Sequence, residues 1–172
     1  MLNRLEEIAK QIAQKSQPPV HLWKPDHVGE IDIRIDVNGQ WFHEGDQIQR
    51  DKMVVLFASI LWSENEDYFL VTPVEKLRID VADVPFIVHQ AEYTDQHWVI
   101  VTNTHEQIIV GEEHPVRLQN FNGQQIPYVN VRYDLWARVS RGVYYQWVEQ
   151  ALESDDSDQP LLSSGDYKFH LA

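Results

Sequence analysis

The sequence predicts an α+β protein made of two small halves. An early β-hairpin is followed by an apolar helix, and a later run of strands is followed by a second apolar helix. The 172 residues are 43% hydrophobic, which is enough to build a core. We expect an N-terminal α+β domain over residues 1–76, a β-rich domain with a closing helix over 77–152, and an acidic, mobile tail over 153–172.

The first half begins with an amphipathic helix over Met1–Lys15, whose apolar residues recur at helical spacing. Three prolines then predict a linker over Ser16–Val28. Ile31–Val37 alternates strictly between apolar and polar residues, and Asn38-Gly39 is the dipeptide preferred in a two-residue hairpin turn before Gln40–His43 returns. This hairpin register places Arg34 and Trp41 together on the solvent face, with Asp36 opposite Trp41 and Phe42 in the core.

The remaining elements follow from the same periodicities. Arg50 precedes a dense apolar segment, Met53–Trp62, that predicts a largely buried helix. Ser140 is a suitable N-cap for a closing helix whose apolar residues run from Val143 to Ala151. Strands with a period of two are predicted over Tyr68–Thr72, Leu77–Val81, Phe86–Ala91, Trp98–Asn103, Gln107–Val110, Tyr128–Val131 and Leu135–Val139.

Composition excludes several classes of function. The formal net charge of −13 is unfavourable for nucleic acid polymers and anionic membranes, because the phosphate-neutralising term would be repulsive overall. The absence of cysteine excludes disulfides, thiolate nucleophiles and zinc ribbons. Met53–Ala58, the longest apolar run, is far below the ~20 residues needed to cross a bilayer. Met1–Lys15 lacks the continuous apolar run and the cleavage site of a signal peptide, so we expect none. A soluble, cytoplasmic protein is therefore expected.

The sequence gives little support for catalysis. The eight histidines lack the short same-face spacing of a zinc site, so no metal is expected. A serine elbow and a phosphate-cradling glycine loop are both missing, and we expect no cofactor. A hydrolase-type enzyme with a scattered site is the least favoured of the hypotheses.

Arginine and aromatic residues are the candidate binding groups. Trp41 could stack on a planar ligand while Arg34 holds an anionic group, or the two could be a surface cover with a local ion pair. Arg50 and Arg141 each stand at a helix start, where amides and a guanidinium together favour an anion. Arg138 belongs to the segment 115–148, which carries four arginines and one aspartate, a local charge of +3. Pairing with nearby acids is the alternative for all of them.

Two further residues come from the segment Leu70–Lys76, in which a proline separates two strands. Thr72 and Glu75 flank that break and could line a site or position the arginines. Glu75 and Lys76 are adjacent on an extended chain and point in opposite directions, which argues against an acid–base pair. A structural turn is the simpler interpretation.

The chain also resembles an uncharacterised bacterial family, domain of unknown function 1285, over about Gly29–Ala151. The matching segments are Ile33–Ile35, Gly39–Phe42, Ile48–Arg50, Leu56–Leu61, Tyr68–Lys76, Val81–Phe86, Thr102-Asn103 and Ala137–Arg141. The resemblance implies two domains with related motifs, the second superficially like a pleckstrin homology barrel. It also implies a role in signal transduction, with a nucleotide-like ligand in the groove between the domains, and no enzymatic activity.

The leading hypothesis is thus a non-enzymatic ligand-binding or sensing module for a small anionic, nucleotide-like molecule. The alternative is a protein–protein interaction module that uses the same aromatic surface or a strand edge. The two halves also show a possible internal similarity, since Asn38-Gly39 and Arg50 in the first correspond to Asn122-Gly123 and Arg141 in the second. A chance match of a common turn dipeptide would explain that similarity equally well.

Overall fold

The computed structural model describes residues 2–13, 17–154 and 159–172. The chain divides into a first unit, Met1–Asp83 with Tyr133–Leu135, and a second unit, Val84–Arg132 with Trp136–Ala172. The division thus follows Asp83 and not residue 76 as expected, because the strand that begins at Glu75 pairs within the first sheet. The α+β class is confirmed.

In the first unit, two helices accompany one sheet. Its elements are α1 (Leu2–Ala13), a 3-10 helix (Val20–Leu22), β1 (His27–Ile35), β2 (Trp41–His43), β3 (Asp46–Gln47), α2 (Asp51–Ala58), β4 (Leu61–Glu64), β5 (Asp67–Val71) and β6 (Glu75–Val81). Its six described strands are arranged in the order β3-β2-β1-β6-β5-β4. The central pair, β1 and β6, is parallel, whereas the other neighbours are antiparallel.

The hairpin between β1 and β2 has a different register from the predicted one. Asp36 and Gln40 close a loop of three residues: the N–H of Asp36 donates to the carbonyl of Gln40 (2.9 Å), and the N–H of Gly39 donates to the carbonyl of Asp36 (3.0 Å). Gly39 has φ +78°, which is typical of a type I turn followed by a left-handed residue. The partners are therefore Arg34 with Phe42 and Ile35 with Trp41.

This one-residue change moves every side chain of β2 to the opposite face. Trp41 is 1% exposed and packs beside Phe57 of α2, with ring centroids 6.4 Å apart. Ile33 and Ile35 lie in the same core. The prediction of an exposed Trp41 on the face of Arg34 is wrong, because it assumed a two-residue loop.

The second unit repeats the sheet and adds other helical and hairpin elements. These are β7 (Phe86–Thr94), β8 (His97–Thr102), β9 (Gln107–Ile109), β10 (Val116–Phe121), β11 (Gln124–Arg132), β12 (Leu135–Val139), α3 (Arg141–Ser154), β13 (Leu161–Ser164) and β14 (Tyr167–His170). The six-stranded sheet has the order β10-β11-β12-β7-β8-β9, and β7 and β12 form its parallel pair. Read from β9 to β10, this is the strand order of the first unit.

The two sheets are therefore related as expected, but the residues that the sequence matched between the halves are not at equivalent positions. Asn122-Gly123 joins β10 to β11, which are the equivalents of β4 and β5. Asn38-Gly39 instead lies between β1 and β2. The helices also differ in position, since α2 precedes β4 whereas α3 follows β12. The turn dipeptides and the two arginines at the helix starts are thus not equivalent positions.

The end of the chain is more ordered than the sequence suggests. β13 and β14 pair as a hairpin, and Leu162, Phe169 and Leu171 are buried. The hydroxyl of Ser164 accepts from the N–H of Trp98 (2.9 Å) and donates to the carbonyl of Val110 (2.6 Å). The expected mobile tail over 153–172 is thus wrong for 161–170, while residues 155–158 of its acidic run lie outside the described residues.

The closing helix α3 begins as predicted. The hydroxyl of Ser140 accepts from the N–H of Val143 (3.4 Å), and its carbonyl accepts from the N–H of Tyr144 (2.8 Å). Trp147 is fully buried, with ring centroids 5.9 Å from Trp98 and 5.2 Å from Phe169. Among the described residues, no helix is long and apolar enough to span a membrane.

Candidate functional site

The seven residues singled out by the sequence fall in both units. Arg34, Trp41, Arg50, Thr72 and Glu75 belong to the first unit, and Arg138 and Arg141 belong to the second. The described hydrogen bonds join Thr72 to Glu75 directly. The other five residues, Arg34, Trp41, Arg50, Arg138 and Arg141, have different neighbours.

Arg34 and Trp41 lie on opposite faces of the first sheet. The guanidinium of Arg34 lies over the ring of Phe42, 4.5 Å from its centroid, on the exposed face. Trp41 is inside the core, and its indole N–H has no hydrogen-bond partner in the described part of the chain. Trp41 therefore cannot stack on a ligand beside Arg34 in this fold.

Thr72 and Glu75 form the turn between β5 and β6. The Thr72 hydroxyl accepts from the N–H groups of Val74 (3.3 Å) and Glu75 (3.2 Å), and the N–H of Thr72 donates to the carbonyl of Glu75 (2.9 Å). Thr72 is fully buried, and Glu75 is 9% exposed. Thr72 thus has the turn-forming role of a short polar side chain next to a proline.

Arg50 is the predicted site residue that lines a described cavity. It immediately precedes α2, and its guanidinium donates to the carboxylate of Glu6 on α1. Lys10, one helical turn beyond Glu6, has its ammonium 3.2 Å from the same carboxylate. The cavity beside them has a volume of about 390 Å³ and is lined by Glu6, Lys10, Arg50, Asp51, Lys52, Met53 and Leu56.

The electrostatics of this cavity depend on Glu6. Burial by itself raises the pKa of the Glu6 carboxyl, but the hydrogen bond from Lys10 and the charge of Arg50 outweigh burial and leave the pKa below its ordinary value. The carboxylate therefore stays ionised and holds both cations at the cavity. The cavity has a formal charge of +1, from Lys10, Arg50 and Lys52 against Glu6 and Asp51.

The arginines of the second unit mostly contact aromatic rings. Arg138 lies 3.9 Å from the ring centroid of Phe121, and Arg117 lies 4.0 Å from that of Trp136. Arg132 lies 5.4 Å from the ring centroid of Phe86 and also forms an ion pair with Glu106, at 2.6 and 2.5 Å to its two oxygens. Arg141 is exposed in the first turn of α3. The two stacked pairs join β10 to β12.

Family comparisons cover almost the whole described chain. One family model, the N-terminal domain of the domain of unknown function DUF1285, matches residues 18–84. A second model, the DUF1285 C-terminal domain, matches residues 85–171. The chain belongs to the DUF1285 family. The boundary between the two matches agrees within one residue with the division after Asp83.

Two crystal structures of DUF1285 proteins are similar to this chain. The one from Silicibacter pomeroyi DSS-3 is 36% identical, with a TM-score of 0.87 over 97% of this chain and 93% of that one. The one from Shewanella baltica OS155 is 28% identical, with a TM-score of 0.57 over 69% of this chain and 91% of that one. Among curated proteins there is no match.

This DUF1285 chain contains several site residues that sequence reasoning missed. Lys10 and Lys52 meet at the cavity because α1 packs against α2, a contact that no local pattern encodes. Phe121 and Trp136 carry the stacked arginines, but β10 was not predicted as a strand. The i, i+2 spacing of Trp136 and Arg138 could have placed that pair on one strand face. In the described residues, no cluster of three metal-ligating side chains occurs.

Proposed function

We propose that this DUF1285 protein is a non-enzymatic module that binds a small anionic, nucleotide-like ligand in the cavity between α1 and α2. The observation that carries the proposal is the concave site of about 390 Å³ with Lys10, Arg50 and Lys52 around it. That volume is within the range of sites that hold small molecules, about 300–1,000 Å³.

The cations keep donors available for a ligand. The bond to Glu6 engages one terminal amino group of Arg50, and 65% of the Arg50 side chain is exposed. Lys10 is 62% exposed despite its contact with Glu6. Glu6 thus holds both side chains in place, while their outer N–H groups can donate hydrogen bonds to a phosphate or carboxylate.

The helix start and the apolar residues complete the site. The first turn of α2 carries the positive end of the helix dipole, which favours an anion. Met53 and Leu56 offer an apolar surface for a planar ligand group. Glu6, already bound by two cations, is suited to positioning and not to proton transfer. A sensor that binds an anion without converting it fits a role in cytoplasmic signal transduction.

Thermal unfolding with a panel of nucleotides and inorganic phosphate tests this proposal. A ligand at ~100 times its Kd should stabilise the protein by about 2.7 kcal/mol and raise Tm. Arg50→Ala and Lys10→Ala should lose that shift. Arg4→Ala is the matched control, because it removes an exposed cation from α1 outside the cavity lining.

Arg141→Ala distinguishes the two units, since Arg141 also stands at a helix start. We expect this variant to keep the ligand-induced shift in Tm. Loss of the shift in Arg141→Ala with retention in Arg50→Ala would move the site to the second unit. The proposal fails if no anion raises Tm of the unmodified protein.

A further inference from the structure

Strand β10 ends the second sheet, and the contacts of one hydroxyl group show which way its backbone groups point. The N–H of Val116 donates to the hydroxyl oxygen of Tyr167 (2.9 Å), and that hydroxyl also contacts the carbonyl of Val116 (3.4 Å). The backbone groups of Val116 therefore point away from β11. Because a strand repeats every two residues, the N–H and carbonyl groups of Leu118 and Asn120 point the same way.

The register supports this orientation. Phe121 pairs with Gln124 across the two-residue turn at Asn122-Gly123, both of which have positive φ. In such a turn the closing pair exchanges backbone hydrogen bonds, so the inward-bonding residues of β10 are 117, 119 and 121. Within the described part of the chain, no backbone hydrogen bond reaches the outer side of Leu118 or Asn120.

Proteins normally protect such an edge. Prolines, lysines, a very short strand or a covering loop are the usual devices. β10 is six residues long and contains neither proline nor lysine. β14 lies against β10, and the hydroxyl of its Tyr167 is bonded at Val116. Leu118 is half-buried and Asn120 is exposed, so the part of the edge that an added strand could join lies beyond Val116.

The side chains beside this edge are cationic and aromatic. Arg117 and Phe121 occupy alternate positions of β10 on one face, and they stack with Trp136 and Arg138 of β12. Arginine and aromatic residues are the types enriched in the energetic centres of protein interfaces. Arg117 is exposed, and a guanidinium stacked on a ring has in-plane N–H donors that suit a carboxylate.

The charged side chains around β10 indicate which kind of partner segment could bind there. Arg117 lies on β10 itself and Arg138 contacts its Phe121, whereas Arg132 is paired with Glu106. A second copy of this chain would place like charges against each other at β10. An acidic, extended segment of another protein is complementary both to the arginines and to the unpaired backbone groups.

We propose that β10 is a docking edge for an extended acidic peptide segment of a partner protein. The segment adds to the sheet as a further strand, bonding to the backbone of Leu118 and Asn120, and one of its carboxylates contacts Arg117. This proposal rests on the second unit only and is independent of the anion cavity in the first unit.

The test uses the full chain with two synthetic peptides of alternating sequence, one of valine and glutamate and one of valine and lysine. The acidic peptide should bind, and its affinity should fall as salt rises. Leu118→Pro should weaken binding at least tenfold, because it removes an outward donor without breaking a bond to β11. Arg117→Glu should weaken binding at least tenfold. Arg78→Glu, an equal charge change in the first unit, should leave binding unchanged.

Amide hydrogen exchange of the unmodified protein provides a readout that does not depend on how the variants fold. Bound acidic peptide should slow exchange at Leu118 and Asn120. Equal binding of the lysine peptide, unchanged binding in Leu118→Pro, or unchanged exchange at both amides would overturn the proposal. Tighter binding of a single-stranded oligonucleotide at the same residues would also overturn it.

Discussion

The two sheets of this protein share strand order and a central parallel pair, but their equivalent end strands differ. β4, which ends the first sheet, has four residues and carries Glu64, whose carboxylate accepts from Lys76 (2.9 Å) and from the indole N–H of Trp62 (3.1 Å). β10, its equivalent, has six residues and carries Arg117 on Trp136. The two sheets thus share one topology. The end strand of the first sheet is short and acidic, whereas the equivalent strand of the second sheet is longer and cationic.

The helices differ for a related reason. In the first unit α2 lies between β3 and β4 and packs against α1, which creates a cavity beside two helices. In the second unit α3 follows β12, and the β13–β14 hairpin packs with it on the sheet. A repeated sheet therefore carries separate binding chemistry in each unit, because the additions to the sheet are not repeated.

The largest effect is expected in the two tryptophan cores. Trp41→Ala should lower the free energy of unfolding by about 3–5 kcal/mol, because the indole is fully buried. Trp147→Ala should cost a similar amount in the second unit. Urea unfolding measures both. A loss in free energy of unfolding below about 1 kcal/mol for Trp41→Ala would contradict the burial of Trp41 and favour the hairpin register that places it at the surface.

An intermediate effect is expected at Ser164, which has no counterpart in the first unit's sheet. Ser164→Ala should cost about 1–3 kcal/mol, because it leaves the buried N–H of Trp98 without an acceptor. The measurement is again urea unfolding. Ser163→Ala on the exposed side of β13 is the control and should be nearly neutral. Equal values for the two variants would show that the hairpin is not held by Ser164.

The smallest effect is expected at the contact between α1 and α2. Glu6→Gln should lower stability at neutral pH by about 1 kcal/mol, because Arg50 and Lys10 are largely exposed. The folded-state pKa of Glu6 is lowered, so its contribution is present above the ordinary carboxyl pKa and is lost as pH falls through the folded pKa. The difference between the unmodified protein and Glu6→Gln should therefore shrink on acidification. A difference that does not change with pH would contradict the ion pair.

Much of the fold was predictable because it depends on local alternation. The strict pattern at Ile31–Val37, the N-cap at Ser140 and most strands of the second unit follow from periods of two or 3.6 residues. Several strands were not predicted, for physical reasons. β4 reads as the end of an apolar helix, β10 has mixed polarity, and β13–β14 follow an acidic run that suggests a tail.

The candidate sites were less predictable, because they depend on contacts between distant residues. Arg50 was singled out from its position at a helix start, but its partner Glu6 is 44 residues away in the chain. Arg138 was singled out from local charge, while its partner Phe121 lies on a strand that was not predicted. The hairpin loop has three residues and not the predicted two, which places Trp41 in the core and not at the surface.

The sequence by itself determined the α+β class, the family resemblance and the periodic faces of most strands, since those depend on neighbours along the chain. The tertiary structure decided the parallel pairs, the register at Trp41, the Glu6–Arg50 contact and the position of β10 at the end of its sheet. Each of these depends on which distant segments meet, and a side-chain period is the same whichever segment lies beside it.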